Sequence, residues 1–390
     1  VPKTDTHSRL AALCLAVLTP ALASANPAGA TLTSLNVRSN GPLVVNATKV
    51  LNVESLRIAA IDAVAADGHA FSTFAPIGEQ VVTLNLTPFS LAAPGFKVVE
   101  HRNHQYTEVP APTPRTYRGT IDEIPGAVIA ASLLDDGLYA RILLPDGGQY
   151  WIEPLAARMP EAGIKDHAVY SGDSVIPSGG VCATIAEEVH GAAERYSVER
   201  GGSACGSSLC VAQVACDADR FFYQEQGNST TSVINRINAV MNSVNIVYER
   251  DVQIRHVITQ IIVRTDATEP YSSSDASTLL GEFQFHWNAS QGAIPRDVAH
   301  LFTGRSLIGG TIGIAFLGQI CNLSQAYGLV ESNCCGSLGC ASDLSAHELG
   351  HNWNAPHCSC QSPAYTMNPS ITCANRFNTG SINSITNFRN

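Results

Sequence analysis

From about Asn26 to Ile176 the pattern is strand-like, with short apolar runs separated by turn residues. The stretch RTYRGTIDEIPGAVIAASLLDDGLYARILLPDGGQYWIEPL (115–155) carries Pro125-Gly126, Asp136-Gly137 and Asp146-Gly147 at nearly regular spacing, which predicts a β-meander. Gly, Ser and Pro with scattered charges dominate from Ser171 to Ser208, linker chemistry in which Arg195 and Arg200 offer sites for proteolytic nicking. Beyond Leu209 the period changes. VAQVACDA reads as a strand, Val233, Ile237, Val240, Val244 and Val247 recur at helical spacing, and VQIRHVITQIIVRT reads as a strand again. A second helical stretch surrounds DASTLLGEFQFHW, a strand TIGIAFLGQIC follows Gly309-Gly310, and a last helix carries HELGHNWNAPH at 347–357. This order predicts a mixed, twisted α/β (α+β) domain over 209–390, preceded by a β-rich domain over 26–170 and a linker over 171–208.

A chain of 390 residues with 45% hydrophobic content has enough apolar matter for two such domains. Its formal net charge of -10, with no lysine from Cys205 onward, provides no footprint for a polyanion, so nucleic acid is not an expected partner. Lys3 and Arg9 precede an apolar run from Leu10 to Leu22, followed by Ala23-Ser24-Ala25. The run is well short of the roughly 20 residues a spanning helix needs, and the pattern is that of a signal peptide, 1–25. The expected product is a monomer outside the cytoplasm, secreted or periplasmic, with no membrane span. Twelve cysteines fit an oxidising compartment. Ten of them lie between Cys205 and Cys373, which predicts five bridges there and leaves Cys182 without an obvious partner. His101 and His104 stand apart from any ligand cluster and are expected on the surface.

His347 and His351 are four apart, so on a helix both imidazoles share one face, roughly 6 Å from each other, and can grip one ion. Glu348, next to the first, can reach a water at that ion without coordinating it. A bare HExxH also occurs on ordinary solvated helices, and the third ligand decides. No Asp or Glu follows His351, and His357 is the only downstream histidine. It lies too far round to share the helix face, so the helix must stop and the chain turn back. Asn354 tolerates the left-handed conformation that closes helices, and Pro356 prevents resumption.

HELGHNWNAPH resembles the metzincin pattern HExxHxxGxxH, with Asn354 at the glycine position, and Tyr365-Thr366-Met367-Asn368-Pro369 resembles the methionine turn of that clan. RDVAHLFTGRSLIGGTIGIAFLGQIC followed by AHELGHNWNAPH is similar to the adamalysin or reprolysin-like branch over roughly Leu209 to Asn390, and the N-terminal part resembles reprolysin pro-domains more loosely. The resemblance implies a zymogen of a zinc endopeptidase acting on proteins or peptides. Zinc would be held by His347, His351 and His357, with Glu348 as the base and Met367 beneath the metal. The strand Gly310, Thr311, Ile312, Gly313, Ile314, Ala315 would be an edge that pairs with substrate, though its pattern suits core sheet equally. Asp297 matches one family calcium ligand while the others have no counterpart, so calcium rests on that residue alone. Cys182, in GGVCAT, suggests a thiolate on the open zinc position until cleavage near Arg195 or Arg200; the alternatives are a disulfide to Cys205 or a buried thiol. A silent binding or adhesion module on a protease fold is the competing function.

Overall fold

The computed structural model describes residues 32, 35–64, 68–184, 205–332, 334–360 and 363–390. The expected signal peptide and the sites at Arg195 and Arg200 lie outside them. The N-terminal region opens with a helix that the strand-like pattern did not predict, α1 (Pro42–Leu51). Proline at its start forfeits no helical hydrogen bond, and Asn52 closes it in the left-handed conformation. Ten strands follow: β1 (Arg57–Ala60), β2 (Phe71–Ile77), β3 (Gln80–Pro88), β4 (Ala92–Arg102), β5 (Gln105–Val109), β6 (Thr116–Ile121), β7 (Ile124–Leu134), β8 (Gly137–Leu143), β9 (Gln149–Pro154) and β10 (Asp166–Ser171). Eight of them form an antiparallel sheet in the order β1-β10-β9-β8-β7-β6-β3-β2, around a core that includes Val82, Leu84, Ile129, Ile142 and Ile152. The meander from β6 to β10 matches the sequence pattern. One turn does not: Ile121 pairs with Ile124, so the chain reverses at Asp122-Glu123 and Pro125-Gly126 falls inside β7.

The C-terminal region runs β12 (Cys210–Ala218), α2 (Arg220–Glu225), α3 (Thr230–Val252), β13 (Ile254–Arg264), α4 (Ala276–Ser290), β14 (Val298–Thr303), β15 (Thr311–Ala315), β16 (Tyr327–Glu331), α5 (Leu338–Asn352) and α6 (Thr379–Arg389), of which the sequence pattern predicted β12, α3, β13, α4, β15 and α5 but not α2, β14, β16 or α6. With β11 (Val181–Cys182) from the connecting segment, the second sheet runs β11-β15-β16-β14-β12-β13-β4-β5. The hairpin β4–β5 therefore belongs to the C-terminal sheet, its first strand parallel to β13 from Gln260↔Lys97 to Arg264↔His101. This corrects the expectation for His101: pairing inside the sheet buries it, its ring 4.7 Å from that of Tyr106, while His104 is exposed.

Helix α4 covers one face of the second sheet, and α3 lies against the other with α5 beside it. Helix α3 touches the N-terminal sheet as well. Asn242 donates to the carbonyls of Tyr117 and Ala131, and Arg118 and the fully buried Arg141 donate to the carbonyls of Asn242 and Ser243. One core thus runs through both regions, and it includes the start of α5. Trp151 packs so closely there that a Cβ on Gly339 would come 3.0 Å from its indole. Glu153, also buried, accepts the Leu338 N–H at 2.9 Å, a free donor of the first helical turn.

Four bridges occur among the described residues, Cys205–Cys210, Cys334–Cys335, Cys340–Cys373 and Cys358–Cys360, rather than the five expected. Cys216 is a buried thiol on β12, inside the sheet core. No helix among the described residues is long and apolar enough to cross a membrane.

Because Trp151 joins the two regions, Trp151→Ala is expected to lower the unfolding free energy of the full chain by about 3–5 kcal/mol in urea titration. An unchanged midpoint would mean that the two regions do not stabilise each other there.

Candidate metal centre

Helix α5 is started by Ser337, whose hydroxyl accepts the Cys340 N–H at 3.3 Å. It ends as the sequence predicts. Asn354 has φ 70°, its N–H bonds to the His351 carbonyl at 2.8 Å, and the Ala355 N–H bonds to the Gly350 carbonyl at 2.9 Å, the two-bond Schellman closure. The chain then doubles back through Pro356 and brings His357 over the helix. A bond from the Cys358 N–H to the Met367 carbonyl, 2.8 Å, holds it there.

Three imidazole nitrogens converge. Nε2 of His347 lies 3.0 Å from that of His351 and 3.2 Å from that of His357, and the last two are 3.2 Å apart. The other ring nitrogens explain the arrangement: Nδ1 of His347 faces the Thr366 carbonyl at 2.5 Å and Nδ1 of His351 faces the Ala355 carbonyl at 2.8 Å. A carbonyl only accepts, so both Nδ1 atoms carry the proton and both Nε2 atoms present lone pairs. Such lone pairs repel unless a cation lies between them, and tetrahedral zinc with bonds of roughly 2.05 Å would space them about 3.3 Å apart. Burial also keeps the rings neutral, as ligands must be. It pushes His347 down to about 3, lowers His351 well below its ordinary value with help from the other two rings, and lowers His357. The donor set fits a zinc ion.

Glu348 is fully buried and burial pushes its carboxyl well up. Its Oε1 has no hydrogen-bond partner, and a Cβ on Gly313 would come within 2.3 Å of it. The carboxylate therefore fits only because strand β15 has a glycine opposite. Met367 is buried with its sulfur where a Cβ on Gly350 would meet it at 2.6 Å, so a second glycine lets the methionine lie directly under the helix.

The connecting segment occupies the groove. The Ala183 N–H donates to the Gly313 carbonyl at 3.0 Å, Thr184 Oγ1 lies 3.0 Å from both the nitrogen and the oxygen of Ala315, and the Cys182 N–H donates to the Pro369 carbonyl at 3.0 Å. Residues 181–182 run parallel to β15, the outermost strand of the C-terminal region on that side. The proposed substrate strand is thus an edge from Thr311 to Ala315, and Gly310 falls in the tight turn before it. Cys182 is not bridged to Cys205. Its sulfur sits 3.5 Å from His351 Nε2 and 3.5 Å from Glu348 Oε2. Burial and then the Glu348 carboxylate push this thiol well up, a balance that a divalent cation reverses by favouring the thiolate. Among the described residues, Cys182, His347, His351 and His357 form the one group of metal-ligand side chains close enough to share an ion.

Asp297, the residue on which the calcium expectation rests, lies just before β14. Its carboxylate accepts the Gln213 N–H at 2.7 Å and its carbonyl the Cys321 N–H at 2.8 Å, tying β12 to the loop before β16. Sequence reasoning placed Gly313 in the substrate strand without seeing the space it leaves for Glu348, and it missed Gly350 and Thr366. The last stood within the quoted methionine turn, but its role is played by a backbone carbonyl, which side-chain identity does not reveal.

Behind the helix, burial pushes His256 and His300 down to about 3, as it does His347. These groups stay neutral in the fold to about pH 3 but protonate near 6.5 when unfolded, so the unfolded chain binds more protons between those limits. Stability of the metal-free protein is expected to fall as pH drops below about 6.5, by up to ~1.4 kcal/mol per pH unit for each such histidine. Urea midpoints measured from pH 8 to pH 4 check this; a midpoint that rises on acidification contradicts it.

Residues 209–387 match the family described as Metallo-peptidase family M12, Reprolysin_5. Over 166 residues the chain is 35% identical to "Disintegrin and metalloproteinase domain-containing protein 12" of Mus musculus, a match that takes in 39% of this chain and 18% of that protein. The chain thus spans under a fifth of the length of this curated relative. The matched segment contains α5, β15 and the methionine turn, the elements that build the histidine cluster. Residues 209–387 of this chain, preceded by a β-rich region, therefore belong to metallopeptidase family M12 as a reprolysin-type metzincin.

Proposed function

We propose that this chain is an exported zinc endopeptidase, made with a signal peptide (1–25), a β-rich pro-region (26–170), a connecting segment (171–208) and a catalytic domain (209–390), and held silent by its own Cys182. One observation carries the reading: three Nε2 lone pairs and an unpartnered carboxylate oxygen meet at the bottom of a groove that already holds an extended peptide.

His347, His351 and His357 would hold the ion through Nε2, with Met367 packed beneath the helix that carries the first two. Zinc, when bound, supplies a Lewis acid that polarises a carbonyl and brings the pKa of a coordinated water to about 7. The remaining work falls to the chain. The backbone groups of Gly313 and Ala315, satisfied by residues 183–184 while the groove is occupied, would align an extended substrate along β15. Glu348 takes a proton from the attacking water and delivers it to the departing amide nitrogen, a transfer suited to a carboxyl whose pKa burial has raised. Cys182 opposes both steps by placing its sulfur against Glu348 and His351.

Glu348→Gln is expected to retain one zinc per chain and to lose about 10²–10⁴-fold in cleavage of casein after processing, with chelator abolishing the wild-type activity. Cys182→Ser in the uncut chain is expected to release activity that the uncut wild type lacks. A processed, zinc-loaded wild type that cleaves no protein substrate would favour the adhesion-module alternative.

A further inference from the structure

Helix α5 meets the segment from Thr366 to Asn375 along one stripe of residues three and four apart. Cys340 is bridged to Cys373, His347 donates to the Thr366 carbonyl, and Gly350 admits Met367. Asp343, in the middle of this stripe, has no part in the chemistry above. It is fully buried, and its carboxylate accepts three bonds from the opposing segment: Thr366 Oγ1 at 2.7 Å and the Asn375 N–H at 2.9 Å on Oδ1, and the Ala374 N–H at 3.0 Å on Oδ2. A buried carboxylate is costly compared with an apolar side chain unless its hydrogen bonds are needed.

Thr366 shows why they are needed. Its hydroxyl donates to Asp343 and accepts the Arg376 N–H at 2.9 Å, while its carbonyl receives the Nδ1 proton of His347. Asp343 and His347, one helical turn apart, thus hold the two ends of a single residue. From the other side, Gln149 donates to the Ala374 carbonyl at 3.0 Å and Arg141 to the Asn375 carbonyl at 2.9 Å, so the two residues whose N–H groups face Asp343 are also anchored by the N-terminal sheet. His351 needs no such device, since its carbonyl partner, Ala355, comes from the closing turn of its own helix. The partner of His347 lies on a separate segment, and something must place it.

We infer that Asp343 is a positioning residue of the metal centre: it fixes Thr366, and through the Thr366 carbonyl it sets the tautomer and orientation of His347. This rests on the zinc reading above. A partner that accepts from the distal nitrogen of a histidine ligand both aims the ring and raises its basicity, and loss of such a partner weakens metal binding by about 10–100-fold.

The test uses the full chain loaded with zinc or with cobalt(II), and four variants. Asp343→Asn and Thr366→Val are expected to weaken zinc binding about 10–100-fold in chelator competition and to shift the visible cobalt(II) bands, whereas Thr366→Ser, which keeps the hydroxyl, stays within about twofold of wild type. Trp287→Phe, a buried change on α4 with no contact to the cluster, controls for destabilisation alone. Thr366→Val leaves the carboxylate and both backbone bonds in place, so it decides the matter even if Asp343→Asn fails to fold. Wild-type zinc affinity in Thr366→Val, or a loss no greater than that of Trp287→Phe at matched unfolding temperature, overturns the inference. A wild-type chain that takes up no metal overturns the zinc reading and this inference with it, an outcome distinct from variants that bind as well as a metal-binding wild type.

Discussion

The Nδ1 proton of His347 goes to the Thr366 carbonyl and that of His351 to the Ala355 carbonyl, and this choice of tautomer makes an electron-rich hollow out of the helix end. Each carbonyl has to be delivered. That of Ala355 comes from the turn that Asn354 closes in the left-handed conformation; that of Thr366 comes from a segment tied to the same helix by a disulfide and a buried carboxylate. The neighbouring glycines serve the same hollow by omission. Without a side chain at 350 the methionine turn can lie against the helix, and without one at 313 the Glu348 carboxylate can face the strand.

The N-terminal region contributes to this centre from outside the matched family segment. Its sheet packs on α3, its Trp151 and Glu153 meet the start of α5, and its Arg141 and Gln149 grip the carbonyls behind Asp343. The fully buried Arg141 and Glu153 direct hydrogen bonds across this junction to Ser243, Asn375 and Leu338, which makes the contact specific as well as adhesive.

Much of this was legible in the residues. Apolar periodicity located the meander, α3, α4 and the strands β12, β13 and β15, because each buries a face against a neighbouring layer. The stop at Asn354 and the return of His357 followed from local backbone chemistry. Three things could not be read. Asn235, Asn242 and Ser243 look like the solvated face of α3, yet they are buried, because the N-terminal sheet packs on that helix as well. The hairpin β4–β5 carries an ordinary strand pattern that does not say which sheet it joins, and the expectation for His101 failed with it. Cysteine parity misled for a related reason: Cys216 is enclosed in the sheet core, and evenness of count carries no information about reach.

Under the proposed zymogen reading, the ladder between β4 and β13 separates two events of maturation. A cut between residues 184 and 205 breaks the covalent connection, but the backbone bonds of that ladder and the grip on α5 lie elsewhere and survive it. Vacating the groove requires only that a few residues around Cys182 peel away from one edge; parting the two halves means unzipping a sheet at the opposite edge. Nicking and shedding would therefore be separate steps, the first breaking one peptide bond and the second the hydrogen bonds of a whole β-ladder.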